Sequence, residues 1–126
     1  MKQFSEAFGR KLEGSGITRI QWICMYYLSE HNGISQRELS NLMCVKDSSV
    51  GRLIDRLERD GIVVRNRSQK DRRVIKISLT ETGKILFEKL YPLGEDFNNK
   101  LMENISKEEL ETFEKVLKTM LDNIKE

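Results

Sequence analysis

Between Asp47 and Thr80 the apolar residues change period, and this single stretch constrains the fold more than any other. Val50, Leu53, Ile54 and Leu57 fall at i, i+3, i+4 and i+7, the spacing of a helix with one apolar face that must pack inward. Asp47 is expected to cap that helix by accepting from its free N–H groups, and Gly61 to end it in the left-handed conformation. Immediately afterwards Ile62–Arg67 (IVVRNR) and Val74–Leu79 (VIKISL) are rich in β-branched residues and are separated by SQKDRR. They read as two strands of a hairpin with a basic tip.

The outer side of the helix carries Ser48, Ser49, Arg52 and Arg56, short groups near the N-terminus followed by long cationic ones. In a helix-turn-helix the N-terminal part of the second helix meets base edges, where serine can approach closely and arginine can fork onto guanine O6 and N7. The same residues would serve equally as a solvated face on a core helix. Charge separates the two readings. From Lys46 to Lys76 there are ten Lys or Arg against five acids, whereas residues 77–126 hold seven against eleven. A basic patch confined to one helix and one hairpin is the electrostatic footprint of a surface for phosphate backbone.

The runs LIDRLERDGIVVR (53–65) and DRRVIKISLTETG (71–83) resemble the recognition helix and the wing of the MarR family, the multiple antibiotic resistance regulators. The likeness covers about half of the chain, from the helix before the turn to Gly83. It implies a mainly α fold with a small β-hairpin wing, a winged helix-turn-helix flanked by N- and C-terminal dimerisation helices. It also implies a sequence-specific DNA-binding transcriptional regulator, a repressor released by a small ligand, that binds a pseudo-palindromic operator as a homodimer. Under this resemblance Arg73 enters the minor groove and Asp71 holds the wing turn. A narrow minor groove concentrates negative potential, which suits an inserted arginine.

The remaining chain fits around that lobe. Residues 1–126 read as one chain, with 18–80 as the DNA-binding lobe and 1–17 and 81–126 as dimerisation helices. Phe4, Phe8 and Leu12 form a narrow stripe too small to fold alone. Thr18 and Gln21 make a capping box for a helix that Gly33 ends. That helix is apolar on two sides, with Trp22 and Tyr26 on one of them; the two residues line an effector pocket or belong to the core. Ser35 and Glu38 form a second box, opening a helix that crosses the phosphate backbone and makes Gln36 and Arg37 phosphate candidates. Arg56, Arg65, Lys70 and Arg72 join them in that role. Cys44 stands where such turns often place glycine, so either the turn needs no positive φ there or the backbone is strained. Thr80 caps the next helix, in which Pro92 and Gly94 predict a kink or a short break. Ser106 and Glu109 open the last one, whose apolar stripe runs from Leu110 to Ile124. Covering these stripes is most economically done by a second copy of the chain.

Several classes are disfavoured. One histidine and two cysteines cannot make a four-ligand Cys/His zinc site, and no metal or cofactor is expected. No nucleophile with a base and no glycine-rich phosphate loop suggests an enzyme. MKQFSEAFGRKLEG lacks the apolar region of a signal peptide and no run suits a membrane span, so a cytoplasmic protein without membrane contact is expected. Two alternatives stay open: a redox-responsive regulator of the same fold and a winged-helix module that binds proteins and reads no DNA. For the first, Cys44 is the better candidate because Lys46 and Arg37 are close in sequence, whereas Cys24 lies on an apolar face.

Overall fold

The computed structural model describes residues 2–125. In chain order the elements are α1 (Lys2–Lys11), α2 (Arg19–Glu30), β1 (Ile34–Ser35), α3 (Gln36–Met43), α4 (Asp47–Arg59), β2 (Val63–Arg67), β3 (Ile75–Leu79), α5 (Glu81–Leu101) and α6 (Lys107–Asn123). The strands form one antiparallel sheet in the order β1-β3-β2, with Val63 opposite Leu79, Arg67 opposite Ile75 and Ile34 opposite Ile77. This is the expected helical chain with a β-hairpin wing. Each hairpin strand starts one residue later than its apolar run suggested, and β1 is an addition, because two residues carry no period to read.

Packing divides the chain into two compact units, one ending at Glu95 and the other beginning at Asp96. The core of the first is built from α2, α3, α4 and the sheet: Met25, Leu28, Leu39, Val50, Ile54, Leu57 and Ile77 are fully buried. Phe8 and Leu12 dock α1, and the Phe8 ring meets Trp22 edge-on at 5.1 Å. Trp22 also stacks on Tyr26 and donates from Nε1 to the Leu90 carbonyl at 2.9 Å. Trp22 and Tyr26 are thus partly buried and packed against the core. In the second unit Ser106 and Glu109 form the expected capping box; its hydrogen bonds from the Ser106 main-chain N–H, then the Ser106 side chain, hold the Glu109 carboxyl below its usual range.

Four local expectations are corrected. Asp47 does not cap α4: Lys46 is the N-cap without a side-chain bond, and Asp47 already lies in the first turn, 3.8 Å from Arg37. Gly33 lies beyond the end of α2, which closes at His31. Ser35 caps α3 by accepting from the Glu38 N–H, but Glu38 returns the bond to the serine hydroxyl instead of the backbone, since β1 pairs that backbone with β3. Finally, of the kink or short break expected at Pro92 and Gly94, the break is excluded, since α5 runs on through both residues. Phe87 and Leu90 anchor that helix in the core, and Gly94 is there for proximity, since a Cβ on it would overlap the Trp22 indole.

A second close approach pins the start of α5 to the exit of α4. The Thr80 hydroxyl donates to the Gly61 carbonyl at 2.6 Å and accepts from the Gly83 N–H at 3.0 Å, and a Cβ on Gly83 would collide with the Ile62 carbonyl. Backbone cannot yield as a flexible side chain would, so Gly83→Ala is expected to cost about 1–3 kcal/mol of stability. The opposite sign is expected at Cys44, which caps α3 at φ 56°, in the left-handed region. Cys44→Gly removes the Cβ–carbonyl crowding and is expected to gain about 1 kcal/mol. Urea unfolding midpoints of the two variants check both signs.

Candidate nucleic-acid interface

The core side of α4 determines what its other side shows. Val50, Leu53, Ile54 and Leu57 are all buried, which turns Ser48, Arg52 and Arg56 to solvent and leaves Ser49 half-exposed. Ahead of it, α3 is fixed by Leu39 and by buried Ser40, whose hydroxyl donates to the Gln36 carbonyl at 2.9 Å. The left-handed Cys44 lets the chain turn from α3 to α4, with the Val45 N–H closing on the Ser40 carbonyl at 3.1 Å. This is a helix-turn-helix whose second helix offers two hydroxyls and two guanidiniums on an open face.

The wing tip is held by short polar contacts. The Ser68 N–H donates to the Val74 carbonyl at 2.9 Å, and the Ser68 hydroxyl accepts from the Lys70 N–H at 3.2 Å. Arg67 donates from Nη1 to the Arg72 carbonyl at 2.7 Å. Asp71 accepts from the Arg73 main-chain N–H at 3.0 Å and from its Nε at 3.1 Å, so the guanidinium, 92% exposed, is aimed while remaining open to solvent. Lys70 and Arg72 are exposed beside it. The side-chain bond from Arg73, then the main-chain one, holds the Asp71 carboxyl below its usual range.

The structure brings three of the expected residues together at one opening. This cleft of about 410 Å³ is lined by Ser35, Gln36 and Arg37 at the start of α3 and by Arg73, Val74 and Ile75 of the wing. Arg37 also approaches Asp47, an exposed pair that a phosphate can displace at little cost. Arg65 differs. It is half-buried and its Nη1 donates to Asp55 at 2.6 Å and to Glu58 at 3.1 Å, while Nη2 donates to the Gly51 carbonyl at 3.0 Å. Sequence reasoning missed that arrangement, as it missed Arg67 and Ser68 in the tip. The one available signal was the pair of acids at 55 and 58, three apart on one helix side.

Of the two free cysteines, Cys24 is buried and burial pushes its thiol up to about 12, which leaves it unreactive. Cys44 is exposed in the turn, its Sγ 3.7 Å from the Asn41 carbonyl. Among the described residues no cluster of three His, Cys, Asp or Glu side chains is placed to hold a metal ion, and no helix is long and apolar enough to cross a membrane.

Comparison with known proteins agrees with this geometry. The family model described as MarR family matches residues 17–75. The transcriptional regulator PapX of Escherichia coli is 31% identical over 119 residues, which cover 93% of this chain and 70% of PapX. The chain belongs to the MarR family. The transcriptional repressor MdtR of Bacillus subtilis is 38% identical over 79 residues, 63% of this chain, and the match spans only about half of MdtR, 51% of its length. Among solved structures, the S. aureus MepR–DNA complex superposes with a TM-score of 0.90 at 26% identity, covering 98% of this chain and 91% of that one. A cysteine-to-serine mutant of E. coli MarR complexed with operator DNA gives 0.86 at 26% identity, covering 95% and 86%. The fold class read from the sequence is therefore that of a winged helix-turn-helix.

The Asp71–Arg73 pair carries a pH dependence with a definite sign. Because the folded carboxyl is held low, its contribution is complete above the ordinary carboxylate range and is lost as pH falls through the lowered value. The Arg73 amide proton is expected to shift with that lowered midpoint in an NMR titration, and Asp71→Asn to abolish the transition.

Proposed function

We propose that this chain is a sequence-specific DNA-binding transcriptional regulator, a ligand-responsive repressor that binds a two-fold operator as a homodimer. The observation that carries the reading is the cleft that brings Gln36 and Arg37 of α3 together with Arg73 of the wing, with Arg37 also 3.8 Å from Asp47 at the start of α4. Ser48, Ser49 and Arg52 read base edges in the major groove. Arg73, oriented by Asp71, enters the neighbouring minor groove. Gln36, Arg37, Arg56, Lys70 and Arg72 neutralise phosphates, supplying affinity and its salt dependence. The reading makes the protein cytoplasmic, with duplex DNA as its macromolecular ligand. An acidic or apolar α4 face would have favoured a protein partner instead, and this face is neither.

A second copy of the chain is the economical cover for the apolar surface left open. Phe113, Val116, Leu117, Met120 and Leu121 of α6 and Ile124 at its C-cap are between 45% and 76% exposed, and Phe4 of α1 and Ile85 of α5 are also open. A two-fold pairing would set the two recognition helices about 34 Å apart, one duplex turn. For the ligand, a cavity of about 360 Å³ is lined by Leu28, Ser29, Asn32, Leu79, Lys84, Phe87 and Glu88. It is of ligand size and has an apolar floor with a few polar groups at its rim. It touches the end of β3, so an occupant with unequal affinity for two wing positions would shift DNA binding.

Fluorescence anisotropy with the chain's own upstream DNA, against scrambled duplex over a salt series, tests the reading. Two chains per duplex and a preference for the upstream sequence are expected. Arg73→Ala is expected to lower affinity about tenfold, on the scale of one lost base-pair reading, with thermal stability changed little because the side-chain pair it removes is solvent-exposed and the main-chain bond to Asp71 remains. Equal affinity of wild type for both duplexes would leave only a basic surface.

A further inference from the structure

One of the expected DNA-contacting arginines, Arg65, is committed within the chain, and its side-chain partners all lie on the recognition helix. Gly51, Asp55 and Glu58 fall at i, i+4 and i+7 of α4, a stripe lying between the buried face and the open face of Ser48, Arg52 and Arg56. Arg65 of β2 bridges all three, and Glu58 holds it twice, since its second oxygen accepts from the Arg65 main-chain N–H at 3.3 Å. Three of the five guanidinium N–H groups are thereby committed within the chain. The Gly51 carbonyl is one residue from Arg52, so the bridge grips the helix at the reading position itself.

We infer that Arg65 is a positioning residue: through Asp55, Glu58 and the Gly51 carbonyl it sets the angle between the recognition helix and the wing, and it contacts no phosphate. The inference rests on the DNA-reading function proposed above. Its physical content is leverage. The wing tip begins three residues beyond Arg65, roughly 10 Å along an extended strand, so a tilt of about 10° at the clamp moves the tip by roughly 2 Å. That displacement exceeds the tolerance of a hydrogen bond, so major-groove and minor-groove contacts would no longer be made together. A planar fork serves this purpose and an ammonium does not, because only the fork reaches two carboxylates and a carbonyl in fixed directions.

Three variants separate positioning from phosphate contact, each titrated on operator and scrambled duplex over a salt series. Arg65→Lys keeps the charge and loses the fork. Positioning requires the operator-to-scrambled preference to fall about tenfold, the scale of one lost base-pair reading, with binding to scrambled DNA and its salt slope unchanged. Near-wild-type binding by Arg65→Lys would overturn the inference. Arg65→Gln should lose the same preference, whereas a phosphate contact would lower the salt slope by about 0.9 and weaken both duplexes alike. The double variant Asp55→Asn/Glu58→Gln gives the sharpest contrast, since it removes two negative charges beside the DNA face. A clamp predicts reduced preference for the operator; a freed phosphate-binding arginine predicts tighter binding to both duplexes. Circular dichroism and urea midpoints identify any variant that fails to fold, and the remaining ones decide the matter. Should wild type itself show no preference, the DNA-reading function falls, an outcome distinct from failure of the clamp.

Discussion

The one-sided burial of α4 is the constraint on which the rest depends. Burying a side chain such as Val50, Leu53, Ile54 or Leu57 contributes about 1.5–3 kcal/mol each, whereas an exposed pair such as Arg37–Asp47 contributes at most about 1 kcal/mol. The apolar face therefore decides the rotation of the helix about its axis, and the polar residues take the directions left to them. Ser48, Arg52 and Arg56 are open because Val50, Leu53, Ile54 and Leu57 are not. The turn before the helix is drawn into the same arrangement. Leu39 and Val50 are both fully buried, and the chain between them adopts a left-handed residue even though Cys44 is poorly suited to it.

Periodic features were legible in the sequence because periodicity is a local property of the chain. The helices, the hairpin, the capping boxes at Thr18 and Ser106 and the outward set on α4 all follow from spacing within a few residues. What escaped depends on pairs far apart. β1 exists only because Ile34 and Ser35 meet Ile77 and Lys76 of β3. Gly94 reads as a helix breaker until the indole of Trp22, some seventy positions earlier, is seen to need the space. Asp47 looked like a cap because acidic residues often are, yet one position decides between N-cap and first turn, and Lys46 occupies the cap.

The candidate interface shows the same division at the level of charge. Counting cations located the basic patch, but the count treats every arginine alike. Arg56 and Arg65 are equally charged and only nine residues apart, and they differ in what lies within reach. Arg56 extends from the open face, whereas Arg65 meets two carboxylates and a main-chain carbonyl. The number of cations available to DNA is thus smaller than the count for this stretch, since Asp55 and Glu58 hold one arginine internally. The arrangement exchanges affinity for order: a cation withheld from the backbone stiffens the junction between two reading elements.

Arg73 illustrates the complementary use of a carboxylate. An arginine free to rotate would lose several side-chain rotamers on entering a groove, at a cost of up to about 2 kcal/mol. Asp71 reduces that loss by holding Nε and the main-chain N–H on one oxygen while leaving the guanidinium 92% exposed. The pair lies in water, so its own attraction is weak and the guanidinium can be given up to a more negative site. A buried pair would hold the side chain more firmly and could not release it without a large desolvation penalty. Placing Asp71 two residues before Arg73 in an exposed tip therefore suits a group that must be aimed before binding and transferred on contact, and the depressed carboxyl of Asp71 reflects the same bonds.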